Sequence, residues 1–356
     1  MEGTLTAKSM LDEIHSESLQ KVLSSVAFET SPPGCTGIPG LDAHFFSSVP
    51  RHASSQSSLN RGDVIEIQGP ASCGKTHLLY QMIVNCTLPH PQGGWNKAVI
   101  VFDTDSTFDV RRLHELFVSR ITRVTAEYND PTAMASTEVL ASEALARVHI
   151  FRPTSSSQLA ASLLHLPVYQ GIHLPEAEVG LLAIDSMSAF YWPDRFTVEQ
   201  LRSLAEPGRS LAVTSPLQHV LDALQKYRIL YSPVTVLTNW GLNPLTGAAS
   251  SSNIPLNYKQ HLHPFPVLSP PSTDGAPEQA TARGRPVVAL PLTHHITLPF
   301  SAIPPFTPDI SLAEAEEQES KYRKEIIEKG EVVGYARSSG SLRVGRFVFN
   351  ILEGES

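Results

Sequence analysis

Residues 64–86 read VIEIQGPASCGKTHLLYQMIVNC, and this stretch decides the fold. An apolar strand (64–68) runs into a loop that matches G-x-x-x-x-G-K-[ST] over eight positions, and the loop opens an amphipathic helix. Gly69 and Gly74 lack the Cβ atoms that would keep backbone N–H groups from converging on one anion. The helix beginning near Lys75 adds its positive end. The pattern implies a phosphate cradle formed by Gly69, Pro70, Ala71, Ser72, Cys73, Gly74, Lys75 and Thr76. Lys75 would bring a mobile cation to the β- and γ-phosphates, and the Thr76 hydroxyl would ligate Mg²⁺. Cys73, inside the loop, is the best placed of the three cysteines to be reactive.

A metal-bound phosphate needs a carboxylate at the end of a neighbouring strand. GLLAID (180–185) places Asp185 there, after four apolar residues. Alone, an apolar strand ending in Asp reads more readily as a structural cap; beside the loop, it points to the metal.

Outward from these elements, apolar runs alternate with amphipathic stretches, the mark of βαβ units around a parallel sheet. Strands are expected at 64–68, 98–103, 147–151, 180–185 and 234–239, with helices near 75–87, 108–126, 137–146, 157–166 and 215–230. The chain divides into four parts. Residues 1–60 carry an amphipathic helix (8–28) and a Ser/Pro-rich connector, and 61–240 form the core. A long irregular segment occupies 241–290, and 291–356 hold strands at 294–300 and 343–352 around a charged helix that complete the core.

Composition narrows the function classes. Apolar types make up 41% of the 356 residues, enough for a sizeable core, so global disorder is excluded. A net charge of −8 argues against a protein that coats nucleic acid by bulk charge. The cysteines show neither metal-ligand spacing nor a disulfide framework, no apolar run is long enough to span a membrane, and no signal peptide is readable. The expectation is a soluble chain in a reducing compartment.

With loop and carboxylate strand in place, the chain resembles the RecA-type recombinase family, in its eukaryotic recombinase-paralogue branch. The resemblance covers most of 34–240 and the last strand. TGIPGLD (36–42) is similar to the family's entry motif, RGDVIEIQGPASCGKT (61–76) to its phosphate-loop strand, and IDSMSAFYWPDR (184–195) to the stretch after the metal strand in that branch. The resemblance implies an α/β fold with a RecA-like P-loop NTPase core, a mainly parallel twisted sheet flanked by helices, binding ATP and Mg²⁺. It also implies a nuclear, DNA-associated mediator in homologous recombination repair of double-strand breaks. Such a mediator works in a hetero-oligomer with other recombinase paralogues and touches DNA directly or through them.

Two departures from the family pattern bear on turnover. VFDTDSTFD (101–109) puts Asp105 where active recombinases have a Glu that orients the attacking water; Asp105 is the catalytic candidate, one methylene short. Thr238-Asn239-Trp240 stands where they have Thr-Asn-Gln, and an indole has one donor and no acceptor to replace the amide. Weak or absent hydrolysis is expected, against two rivals: a competent DNA-dependent ATPase motor and a non-binding architectural subunit. The 60 or so residues before the core are too few for the family's helical DNA-binding domain, which the paralogue branch also lacks.

Weaker signals stay open. Tyr191, Trp192, Asp194 and Arg195 read as a contact surface or as packing under a loop. Arg283 and Arg285 in the long segment read as phosphate contacts or as a solvated linker. Arg337, Arg343 and Arg346 form an undiluted basic stretch. Asp103 and Asp105, two apart on an extended strand, would share a side and repel.

Overall fold

The computed structural model describes residues 33–48, 57–126, 133–203, 216–241, 292–299, 309–316 and 320–351. The expected amphipathic helix at 8–28 and nearly all of the long segment 241–290, with Arg283 and Arg285, lie outside the described residues.

The elements are α1 (Pro39–Ser48), β1 (Val64–Gly69), α2 (Lys75–Thr87), β2 (Ala98–Asp103), α3 (Val110–Ala126), α4 (Ala133–Leu145), β3 (Val148–Phe151), α5 (Ser156–His173), β4 (Val179–Asp185), α6 (Tyr191–Ser203), α7 (Pro216–Tyr231), β5 (Val234–Trp240), β6 (His294–Thr297), α8 (Leu312–Glu314), α9 (Ser320–Lys329), β7 (Glu331–Ser338) and β8 (Val344–Asn350). The strands form one eight-stranded sheet in the order β3-β2-β4-β5-β1-β6-β7-β8. Strands β1 to β6 are parallel; β7 and β8 close the sheet as an antiparallel hairpin. This is the α/β architecture expected, a mainly parallel sheet flanked by helices.

The central strands β1, β2 and β4 are buried along their whole length, which explains their unbroken apolar runs. One face of the sheet packs against α2 and α3 through Leu78, Leu79, Met82, Phe117 and Ile121. The other packs against α5 and α7 through Leu159, Leu163, Val220, Leu224 and Tyr227. On α3 the buried residues Leu113, Phe117 and Ile121 recur every four positions, the stripe that a 3.6-residue period lays along one side.

The entry stretch 36–42 folds as a staple. Pro39 starts α1, where its missing N–H costs nothing. The Asp42 carboxylate accepts the Thr36 N–H at 2.8 Å, the Thr36 hydroxyl at 2.8 Å and the Gly37 N–H at 3.0 Å. The turn is thereby tied to the helix it opens.

Three elements differ from the sequence reading. Helix α5, expected near 157–166, continues to His173 even though Pro167 inside it removes a donor. The extra turns are held from outside: Tyr169 packs edge-on to Phe151 at 4.9 Å, and the Tyr227 hydroxyl donates to Gln170 at 2.8 Å. Residues 191–203 form a helix where the sequence reading left a contact surface or packing under a loop. Strand β7 was missed altogether. Its buried positions alternate strictly, but Gly334 and the flanking charges hide the period in its composition.

Candidate nucleotide site

Strand β1 ends in the loop, and the loop backbone takes the conformations its sequence allows. Gly74 sits at φ 93° and Ser72 at φ 59°, in the left-handed region. A Cβ on Gly69 would lie 2.3 Å from the Leu298 carbonyl oxygen and 2.5 Å from Cys73 Sγ. That position has room for hydrogen only. Ala71 and Ser72 are exposed at the rim of the loop; Pro70, Cys73, Gly74 and Lys75 are buried, and Thr76 is half-buried.

Lys75 turns its ammonium back into the loop, donating to the carbonyls of Gly69 at 3.0 Å and Pro70 at 2.6 Å. Its Nζ lies 3.8 Å from Cys73 Sγ. Burial pushes the Cys73 thiol up, outweighing the neighbouring ammonium. Although Cys73 is the best placed of the three cysteines, its nucleophilic thiolate is disfavoured.

Two sequence-distant residues meet at the helix start. The Thr76 hydroxyl donates to Asp185 Oδ2 at 2.8 Å, and the Thr238 hydroxyl, from β5, donates to Oδ1. Asp185 is buried at the end of β4, and the Asp185–Ser186 peptide is cis. The Thr76 hydroxyl and the Asp185 carboxylate are thus in direct contact, with Asp185 held from α2 on one side and from β5 on the other.

Asp105 comes to the same place from β2. Its Oδ2 accepts the Ser186 hydroxyl at 2.9 Å. Burial holds its carboxyl above the usual range; the Ser186 hydrogen bond opposes this, and the charges of Asp185 and Asp103 add smaller upward pushes. The expected repulsion across an extended strand is a secondary cause, because β2 ends at Asp103 and Asp105 lies in a bend beyond it. Asp103 is occupied elsewhere, accepting Arg152 Nε at 3.0 Å and the Thr107 N–H at 3.1 Å. Arg152 was not anticipated. A lone arginine after a short strand carries no sequence signal for that pairing.

Trp240 ends β5 in register with Gly69, and the Gly241 N–H donates to the Gly69 carbonyl at 2.8 Å. The indole is 38% exposed, and its backbone N–H is taken by Ser188 Oγ at 2.8 Å. Asn239 donates to the buried Glu66 carboxylate at 2.6 Å. The position next to the loop therefore presents an aromatic ring and no amide. Further out on α6, Trp192 and Phe196 are exposed at 49% and 60%, with the Arg195 guanidinium 5.6 Å from the Trp192 ring centre. Tyr191 and Asp194 of the same stretch are half-buried, and the Asp194 carboxylate accepts the Ser156 hydroxyl at 2.6 Å.

The residues present fit a magnesium nucleotide. A glycine-lined turn, a helix N-terminus and a lysine face anionic oxygens, and a hydroxyl beside a carboxylate suits a hard cation. Among the described residues no group of three or more His, Cys, Asp or Glu could hold a metal on its own. A cation here would need oxygens from a phosphate. No described helix is long and apolar enough to cross a membrane.

Comparison with known proteins places the chain in a family. The Rad51 family profile matches residues 55–250, more than half of the chain. The mouse DNA repair protein XRCC2 is 30% identical over 209 residues, covering 57% of this chain and 67% of that protein. The Arabidopsis thaliana DNA repair protein XRCC2 homolog is 26% identical over 275 residues, covering 70% and 68%. Human DNA repair protein RAD51 homolog 2 is 28% identical over 196 residues, covering 53% and 44%. With the matched span containing the phosphate loop, Asp105, Asp185 and Trp240, the chain belongs to the Rad51 family and carries its RecA-like core.

Proposed function

We propose that this protein is an ATP-binding, DNA-associated recombinase paralogue that mediates homologous recombination repair in the nucleus and turns ATP over weakly or not at all. The similarity to XRCC2 and RAD51-homolog repair proteins supports a repair role in recombination, in complex with other recombinase paralogues. One observation carries the nucleotide reading: the Thr76–Asp185 contact at 2.8 Å beneath a loop with room only for glycine at position 69.

In this reading Lys75 would turn from its loop carbonyls toward the β- and γ-phosphates, and the backbone N–H groups of Gly69 and of residues 71–76 would face the anion. Thr76 and Asp185 are the residues that would hold Mg²⁺. When bound, the magnesium nucleotide supplies the phosphoanhydride and the charge that the loop neutralises. Thr238 fixes the Asp185 carboxylate from behind.

Weak turnover follows from two residues. Asp105 is a short carboxylate already engaged by Ser186, and a misplacement of about 1 Å in a positioning group costs on the order of a hundredfold in rate. Trp240 gives the nucleotide end of β5 no acceptor through which to relay the γ-phosphate. Steady-state phosphate release with and without single-stranded DNA tests this. Turnover near background in both cases is expected; DNA-stimulated turnover abolished by Lys75→Ala would make the protein a motor and overturn the proposal.

A further inference from the structure

Helix α6 (Tyr191–Ser203) is tied down on one side and bare on the other. Pro193 falls in its first turn, where a missing N–H leaves no bond unmade. The Tyr191 N–H donates to the Ser188 carbonyl at 3.1 Å and the Asp194 N–H to the Phe190 carbonyl at 3.0 Å, so the turn after β4 runs straight into the helix. On the inner side, the Ser156 hydroxyl at the start of α5 donates to the Asp194 carboxylate at 2.6 Å. Trp192 and Phe196 stand two residues before and two after Asp194, and a 3.6-residue period turns both to the opposite side. Four apart, they share one face, and both are exposed.

A single exposed apolar side chain on a surface means little. This face differs in composition and in order. The Arg195 guanidinium lies 5.6 Å from the centre of the Trp192 ring, Glu199 accepts Arg195 Nε at 2.8 Å, and Tyr191 meets the Trp192 ring edge-on at 5.1 Å. The aromatics are thus held in place beforehand, which lessens the freedom lost on binding. Trp, Tyr and Arg are also the residue types that carry most of the energy of protein interfaces.

Charge decides between occupants. Among the described side chains of α6, Arg195 is the one cation, and it is already paired with Glu199. Nucleic acid needs unpaired cations along its backbone, which this face does not offer. A second copy of the chain would bring a net charge of −8 against −8. An apolar groove on a different protein meets neither objection, and helices fill such grooves with anchors spaced four apart.

We propose, on the reading of the protein as a member of a paralogue hetero-oligomer, that α6 is an anchor helix for a second recombinase-paralogue subunit: Trp192 and Phe196 insert into an apolar groove on that subunit, and Arg195 with Glu199 forms the polar rim.

The test co-expresses the full chain with tagged recombinase paralogues from the same genome, purifies the complex and follows its dissociation on dilution by fluorescence anisotropy. Trp192→Ala together with Phe196→Ala is expected to weaken the complex at least about thirtyfold, the loss for truncating one interface anchor. Arg195→Gln, at the rim, should stay within about fivefold of wild type. Both aromatics are exposed, so the double variant keeps the wild-type unfolding midpoint and magnesium-nucleotide affinity. A complex that forms equally well with the double variant overturns the proposal and leaves the hetero-oligomer in place. If the wild-type chain forms no complex with any paralogue, the hetero-oligomer itself falls, and the proposal with it. Two other outcomes also overturn it. Loss of affinity for a fluorescein-labelled oligothymidylate in the double variant, with the partner retained, would assign the aromatics to base stacking. Loss of a wild-type homodimer in sedimentation velocity would make the occupant a second copy.

Discussion

The two ends of β1's neighbourhood make an instructive pair. Where β1, β4 and β5 finish, every charged group of the candidate site is engaged: Lys75 by loop carbonyls, Asp185 by Thr76 and Thr238, Asp105 by Ser186, Asp103 by Arg152. On the β7–β8 hairpin, charged groups stand without partners among the described residues. A buried polar network must satisfy itself because an unpaired buried group costs about 1–3 kcal/mol. An exposed sheet face faces no such demand, so charge there can stand unpaired.

The comparison can be broken by mutation. Lys75→Ala removes the only ammonium in the loop, and magnesium-nucleotide affinity measured by calorimetry is expected to fall by about a hundred- to a thousandfold, the range for truncating one partner of a buried charged pair. Equal affinity would mean that the loop does not grip phosphate.

Next in size is a pH effect. Burial, with a smaller push from Arg337, lowers His295 from 6.5 to about 4. The unfolded chain takes up this proton first, so the folded state loses stability as pH falls from about 6.5 to about 4, by at most on the order of 3 kcal/mol. His295→Gln should flatten that part of the acid limb in denaturant titrations at pH 7 and pH 4.5. An identical limb would show that the ring is hydrated.

Thr238→Val leaves one Asp185 oxygen short of a donor and should cost about 1–3 kcal/mol in unfolding free energy at pH 7. Asp105→Asn works in the opposite sense. A carboxyl held above its ordinary value makes folding most favourable where it is protonated, and that advantage fades as pH rises past 3.8 through the folded-state value. The Asn variant should therefore be slightly more stable than wild type at pH 7, by under about 1 kcal/mol given its partial exposure, and equal to it at pH 3. Smallest of all, Arg346→Gln should stay within about 0.5 kcal/mol of wild type. A larger loss would reveal a structural partner and blur the contrast between the two regions.

Legibility in the sequence followed the same division. The phosphate loop, the strand ending in Asp185 and the parallel sheet could be read because burial on both faces forces long apolar runs, and phosphate chemistry forces particular residues at fixed spacing. Pairings that depend on tertiary approach were not readable. Thr238 reaches Asp185 across 53 positions and Arg152 reaches Asp103 across 49, and no local pattern announces either. Helix α5 outran Pro167 for the same reason, since its final turns are held by Phe151 and Tyr227. Strand β7 escaped notice because a half-exposed strand mixes Gly334, Tyr335 and Arg337 into a period that only its burial reveals.

The central claim is that a nucleotide's phosphates and a divalent cation are held together between the loop and Asp185. Titrating the full chain with a fluorescent ATP analogue, with Mg²⁺ and with chelator, tests it directly. Saturable binding that weakens at least about tenfold on chelation and is lost in Lys75→Ala is the predicted result. Absence of binding under both conditions, or affinity indifferent to Mg²⁺ and to Lys75, would contradict it.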